Sequence, residues 1–426
     1  MKLVLTNGTV IDGTGRAPIV GATVVVDGDR ISAITERRPP DVKTSEDVEI
    51  IDCRDKFVLP GLIDSHVHLA FCAGPDHPAT IRQLLDDSEE MLALRELRHA
   101  QECLMAGITT VRDCGSRGFG PLAVRDAIAS GLHLGPRIQA SGPPVTITFG
   151  HLYFCGLEVE GVDRIRIAIR KLAKRGVDLI KVMVTGGVMT GNAKPMICQY
   201  SQAELNVLCE EAHRLDKKVA GHVSSAEGIK RSVEAGMDTI EHCNWVQPGG
   251  TTGYDPKVVE KMIAQGTVVG RTVSGIRRLN LIPNPITTDV ERQRALEKIY
   301  ESWQPLRDMR AAGVKMMVSS DSGVRITPFG NIYLSLMMYS SVLGVTPLET
   351  LTAVTQAPAE AMGLADDLGT IAVGKIADLL ILDADPLVDL MNVRHVHLVI
   401  KGGEPVVSNG ELIIRHPTEL VVKERS

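Results

Sequence analysis

A basic excess is missing from this chain: 46 Lys and Arg stand against 52 Asp and Glu, a net charge of −6 over 426 residues. No block of Lys and Arg lies beside a helical pattern, so there is nothing to neutralise phosphates, and nucleic acid is excluded as an expected partner. Long apolar runs are missing as well. No stretch approaches the roughly 20 uninterrupted residues of a membrane helix, so no membrane partner is expected. The opening MKLVLTNGTVIDGTG alternates and meets Asn-Gly almost at once. It lacks the apolar run and small-residue cleavage site of a secretion signal. The 8 Cys are scattered, with no compact framework spacing, which predicts reduced thiols in a cytoplasmic protein. Aromatics are only 3% of the residues, which singles out Tyr153, Phe154, Trp245 and Tyr254 near predicted strand ends. They are placed to stack on an aryl group or to pack loops.

What is present is apolar and regularly punctuated. The composition, 44% apolar, suffices for one large core plus a smaller unit. Residues 1–59 read as short strands (KLVLTNGTVIDG, ATVVVDGDRISAI, VEIIDCRDKFVLP), with Asn-Gly and Asp-Gly as hairpin turns and RRPPDVKTSED as a polar loop. The C-terminus returns to this character in IADLLILDADP, HVHLVIKGGEPV and GELIIRH. A small β domain from both termini, residues 1–59 plus 370–426, is therefore expected as a β-sandwich around a different middle.

That middle, residues 60–369, repeats one plan. LMAGITTVRDCG, AKRGVDLIKVMVTGG, VEAGMDTIEHC, IAQGTVVGRTV and RAAGVKMMVSSD each place Gly after a helical pattern, then an apolar strand. HRLDKKVAGHV follows with Asp-Lys where the Gly would be. With GLIDSHVHL there are seven helix–strand units, which predicts parallel strands with helical crossovers, most economically a (β/α)8 TIM barrel. An open doubly wound sheet is less favoured, because no Gly-rich phosphate fingerprint follows the first strand.

In such a barrel chemistry sits at the C-terminal strand ends. Those ends carry His66 and His68, then Asp113, Lys181, His222, His242 and Asp321. His66 and His68 are two apart on a strand, so both rings leave the same face, and converging neutral imidazoles suit Zn2+ or a similar ion. Lys181, within VDLIKVMV, is costly as a buried ammonium. It either snorkels or pairs with a carboxylate, or it reacts as a neutral amine with CO2 to give a carbamate able to bridge two metals. Asp321 could equally cap the next helix. All of these at strand ends of one barrel are hard to attribute to separate causes.

PGLIDSHVH, LIKVMVTGG, AGHV, TIEHC, SSDSG and the C-terminal LGTIAVGKIADLLILDADP together resemble the amidohydrolase superfamily, over essentially the whole chain. The likeness is to the branch with a binuclear metal centre and a carboxylated lysine, and within it to the imidazolonepropionase-like group that includes Xaa-Pro and Xaa-Arg dipeptidases. That resemblance implies two divalent metal ions, with Zn2+ foremost. His66, His68 and Asp321 would hold the more buried ion and His222 and His242 the other, bridged by N6-carboxylated Lys181 and a hydroxide. Asp321 would shuttle the proton, and His151, in TITFGHLYFCG, would contact the substrate carbonyl. The family habit is also a homo-oligomer.

The implied reaction is hydrolysis of a C–N bond in a small molecule, a dipeptide or N-acyl amino acid. Ser224 departs from the Tyr or His that peptidase-like relatives often carry, and opens the alternative of aryl amides, carbamates or ureas. Arg271 is the best-placed fork for a substrate carboxylate, with Arg112 and Arg325 as others. GFGPLAVRDAI and TTGYDPKVVEKM, with Tyr254, are candidate pocket walls. Three readings rank lower: deamination on one metal, a metal-free enzyme using Lys181 as a Schiff-base amine, and a non-catalytic structural relative.

Overall fold

Alternating Val and Ile at the chain's start form a mixed sheet: β1 (Lys2–Val10), β2 (Ile19–Asp27), β3 (Arg30–Thr35), β4 (Val48–Asp52) and β5 (Phe57–Pro60). The structure is a computed structural model that describes residues 2–36, 48–275, 280–281 and 287–413. The loop RRPPDVKTSED, residues 37–47, and the chain beyond residue 413 lie outside the described residues. Asp27-Gly28 turns β2 into β3 as expected, pairing Asp27 with Arg30. Asn7-Gly8 does not form a turn. Asn7 takes a left-handed φ of 64° and the pair makes a bulge inside β1, so the strand carries on to Val10.

Ten further strands follow: β6 (Leu62–Val67), β7 (Ile108–Asp113), β8 (Arg137–Ala140), β9 (Val145–Thr146), β10 (Leu157–Glu158), β11 (Leu179–Met183), β12 (Lys218–Ser225), β13 (Thr239–Val246), β14 (Val268–Thr272) and β15 (Met316–Ser319). Helices such as Glu89–Met105, Val162–Lys174, Gln202–Arg214 and Pro256–Gln265 connect them. β6, β7, β11, β14 and β15 are buried at every position, the mark of parallel strands covered on both faces. Gly266 ends its helix at φ 72°, and Asp216, in the Asp-Lys unit, adopts φ 55° where other units use Gly.

The parallel strands pair as two sheets, β6-β7-β8 and β10-β9-β11-β12-β13-β14-β15, where one closed ring was expected. Two seams separate them. At the first, Val67 bridges Ser322, Asp321 N–H donates to His66 C=O at 2.9 Å, and His68 N–H donates to Ser322 C=O at 2.8 Å. At the second, Asp178 N–H reaches Ala140 C=O at 2.9 Å, but the Ala140 N–H goes to the Asp178 carboxylate. A side chain thus replaces the backbone acceptor there and interrupts the strand pairing.

The last strands, β16 (Leu379–Leu382), β17 (Val396–Lys401), β18 (Glu404–Ser408) and β19 (Glu411–Leu412), return to the first five. All nine form one sheet instead of the two facing sheets of a sandwich. The cause is β5, which pairs in parallel with β1 and antiparallel with β16, so hydrogen bonding runs continuously between the two chain ends. This sheet has its own core, including Leu3, Leu5, Val24, Leu379 and Ile400, apart from the large core around β6–β15. Among the described residues no helix is long and apolar enough to cross a membrane, and none of the 8 cysteines is paired.

Candidate metal centre

The C-terminal ends of β6, β11, β12, β13 and β15 open onto one cavity of about 670 Å³. Its wall includes His66, His68, Lys181, His222, His242 and Asp321. His66 Nε2 and His68 Nε2 lie 3.7 and 3.4 Å from Asp321 Oδ1. The rings of His222 and His242 meet edge to face at 4.4 Å, and His242 is 5.3 Å from His66. Backbone conformation helps to aim these groups. His242 and Asp321 sit at φ 69° and 58°, a left-handed region that non-glycine residues seldom occupy and that is concentrated at functional sites.

Each of these imidazoles spends one nitrogen on the protein and leaves the other. His66 Nδ1 meets Glu241 Oε2 at 2.9 Å, His68 Nδ1 meets Gly115 C=O at 2.9 Å, and His242 Nδ1 meets Thr272 Oγ1 at 2.5 Å. These three keep Nε2. His222 is reversed: its Nε2 meets Gly186 C=O at 3.2 Å, which leaves Nδ1. The carboxylate and carbonyl acceptors at His66, His68 and His222 fix the tautomer and orient the lone pair on the other nitrogen, as metal-ligating histidines require. Burial, with Lys181 next in effect, holds His66 well below the usual imidazole range; burial also lowers His222 and brings His242 down to about 4. These are rings that stay neutral near pH 7. Burial alone would raise the Asp321 carboxyl, but the close approach of His68 and the neighbouring imidazoles holds it well down, as an anion.

This donor set fits divalent metal. A tetrahedral ion with bonds of 2.0–2.1 Å separates its ligand atoms by about 3.4 Å, close to the 3.4 and 3.7 Å between Asp321 Oδ1 and the two imidazoles. Lys181 is 1% exposed, and its Nζ lies 3.4 Å from His66 Nε2. It meets no carboxylate among the described residues, so neither pairing nor snorkelling accounts for it.

Residues 57–406 match the model of the amidohydrolase family. The chain belongs to that family. It is 29% identical over 381 residues to an ochratoxinase of Aspergillus niger, covering 82% of this chain and 76% of that one. It is 27% identical over 370 residues to an imidazolonepropionase of Chromobacterium violaceum, covering 79% of each. A solved Xaa-Pro dipeptidase with bound methionine superposes with a TM-score of 0.80 at 29% identity, covering 95% of this chain and 99% of that one.

Within this amidohydrolase, His151 and Ser224 line the cavity beside the metal-site residues. His151 Nδ1 lies 3.0 Å from Thr190 Oγ1, which already accepts from Leu152 N–H and so has its own proton to give. With that hydroxyl donating to Nδ1, the His151 proton is carried on Nε2. Ser224 Oγ accepts from Asn244 Nδ2 at 3.2 Å. Arg271 also lines the cavity, but one of its nitrogens donates to His242 C=O and Asn244 Oδ1, and its guanidinium lies over Trp303.

Other sequence candidates fall elsewhere. Tyr254 packs on Trp245 and is not among the described residues lining the cavity; the same holds for Tyr153 and Phe154. Tyr153 sits between Phe149 and Phe154, and Phe154 packs on the apolar cluster that includes Phe71 and Leu152. The aromatic that does line it is Phe71, stacked on His68 at 4.8 Å. TTGYDPKVVEKM contributes only its first residues, Thr251 and Thr252, while GFGPLAVRDAI becomes the helix Gly120–Ala129, away from the cavity. Asp113 is not in the donor set; its carboxylate accepts from Leu69 and Gly115 N–H and holds the loop after His68.

In sequence Glu241 carries no signal of its own, since it stands beside His242 at an alternate strand position that reads as core. It is fully buried, accepts from Arg112 at 2.7 Å, and braces His66. A detectable signal lay in Gly270 of VVGRTV, opposite it on β14: a Cβ there would come within 2.2 Å of Glu241 Oε2. Arg112 is consequently no substrate fork. It lies under the site, tied also to Ser65 C=O at 2.7 Å. Arg112→Met should destabilise the metal-free protein by about 3–5 kcal/mol, since it strands a buried carboxylate. Denaturant unfolding measures this, and a change below about 1 kcal/mol would contradict the brace.

Proposed function

We propose that this amidohydrolase hydrolyses the C–N bond of dipeptides or N-acyl amino acids, using two divalent ions, Zn2+ foremost, and a carboxylated Lys181. The observation that carries this reading is the convergence of four half-satisfied imidazoles, Asp321 and an unpaired buried lysine on one cavity. Relatives named as an ochratoxinase and a Xaa-Pro dipeptidase support it. In this reading residues 60–369 act as one (β/α)8 barrel, carrying the domain of residues 1–59 plus 370–426. The protein works in the cytoplasm as a homo-oligomer on a small molecule, without nucleic acid or membrane.

When bound, the two ions would supply Lewis acidity and a water of lowered pKa. His66, His68 and Asp321 would hold one ion and His222 and His242 the other, with Lys181 as a further ligand. Asp321 takes the proton of the attacking water and gives it to the leaving nitrogen. Ser274, whose hydroxyl donates to Asp321 Oδ2 at 3.3 Å, keeps that oxygen oriented. His151 Nε2–H donates to the carbonyl oxygen as it gains charge.

A hydrolysis panel on metal-reconstituted protein tests the reading, with dipeptides and N-acyl amino acids beside aryl amides, carbamates and ureas. Chelator-sensitive release of an amino acid is expected. Release only of aryl amines would instead favour the second substrate class, for which the short Ser224 at the cavity wall leaves room. Chelator-insensitive turnover would contradict metal dependence.

A further inference from the structure

Of the three arginines weighed for a substrate carboxylate, two are already occupied. Arg112 is committed to Glu241 and Ser65, and Arg271 to His242, Asn244 and the face of Trp303. Arg325 is different. It lines the same cavity, four residues beyond Asp321, and its guanidinium meets no carboxylate or other acceptor among the described residues. His77 lines the cavity too, and its Nδ1 is buried without a hydrogen-bond partner. The unspent guanidinium of Arg325 thus stands at the cavity beside the metal-site carboxylate, with His77, whose Nδ1 is buried, as a neighbour in the wall.

Their placement is fixed by backbone. The connection after β15 is laced to the connection after β6 by three hydrogen bonds: His68 N–H to Ser322 C=O at 2.8 Å, Ala73 N–H to Gly323 C=O at 2.8 Å, and Ile326 N–H to Gly74 C=O at 2.9 Å. Gly275 N–H, past β14, donates to Thr327 Oγ1 at 2.7 Å. Arg325 is therefore held between pinned neighbours, Gly323 on one side and Ile326 and Thr327 on the other. His77 opens the helix His77–Asp86, just after its N-cap Asp76.

We propose that Arg325, with His77 beside it, binds the free carboxylate of the substrate, making this a hydrolase of substrates that end in an unblocked carboxylate. The proposal rests on the hydrolytic reading above and names the subsite that reading leaves open. A guanidinium matches two carboxylate oxygens at once, and a cation without an internal acceptor loses no protein contact when it takes them. Across the strand order, the connection after β11 brings Val188, Met189 and Met196 to the cavity, an adaptable apolar wall for the acyl portion.

The test is binding and turnover of N-hexanoyl-L-leucine against its carboxamide, on metal-loaded wild type, Arg325→Met and Arg325→Lys. Wild type should prefer the acid by about 10- to 150-fold, the range for a hydrogen-bonded charge. Arg325→Met should bring that preference close to one, and Arg325→Lys should leave a part of it. His77→Gln should lower it less than Arg325→Met does. Metal content equal to wild type in each variant checks that the centre is intact. Equal preference in wild type and Arg325→Met overturns the clamp, as does failure of wild type to bind either ligand. Acid-selective binding without hydrolysis overturns the hydrolytic reading alone and leaves the clamp standing.

Discussion

Lys181→Ala should lose bound metal and activity together, with the rate falling by more than about 100-fold. That exceeds the 10- to 100-fold typical of losing a residue that merely supports a ligand. The reason lies in the surroundings of the side chain. Lys181 is on β11 among Leu179, Ile180, Val182 and Met183, all buried, and no carboxylate of the described residues comes within ion-pair distance of it. An isolated ammonium in such a place is expensive. Conversion of the amine to a carbamate removes the cation and supplies an anionic ligand within reach of His66. Formate or acetate should restore part of the metal content and rate in the Ala variant, by standing in for the missing carboxylate. Full metal content and rate in Lys181→Ala would show that the lysine neither bridges nor reacts.

Asp321→Asn should lower kcat by about 10²- to 10⁴-fold, the contribution of a positioned general acid–base. The amide keeps an oxygen near His66 and His68 but cannot take a proton from the attacking water. Its substrate affinity should change far less than its turnover. The distinction matters because Asp321 has two neighbourhoods: Oδ1 faces the imidazoles, while Oδ2 accepts from Ser274. Single-turnover kinetics at saturating substrate reads the chemical step directly. A chemical step as fast as wild type would assign the proton transfer elsewhere.

Much of this was legible in the residues because strand ends are chemically conspicuous. A histidine, lysine or aspartate that closes an apolar run stands out, and the parallel-strand rhythm says that all such ends meet. His66, His68, Lys181, His222, His242 and Asp321 do line one cavity. What the sequence hid were groups whose role depends on a partner far along the chain. Glu241 gains its meaning from Arg112, 129 residues away, and from the space left by Gly270. Arg271, near a predicted strand end, is the better placed of the two in sequence; only the structure shows that its guanidinium is bonded and that Arg325's has no such bond among the described residues. The terminal strands were recognisable as strands, but the joining of both sets through β5 depends on non-local pairing that alternation does not encode.

The most direct measurement is a metal titration: apo protein receives increments of Zn2+ or Mn2+, while bound metal per chain and hydrolysis of a dipeptide are followed together. Activity should climb to a plateau at two ions per chain in wild type, with neither metal nor activity recovered in Lys181→Ala until a small carboxylic acid is added. Full activity at one ion per chain, or with none, would contradict a binuclear hydrolytic centre built on Lys181.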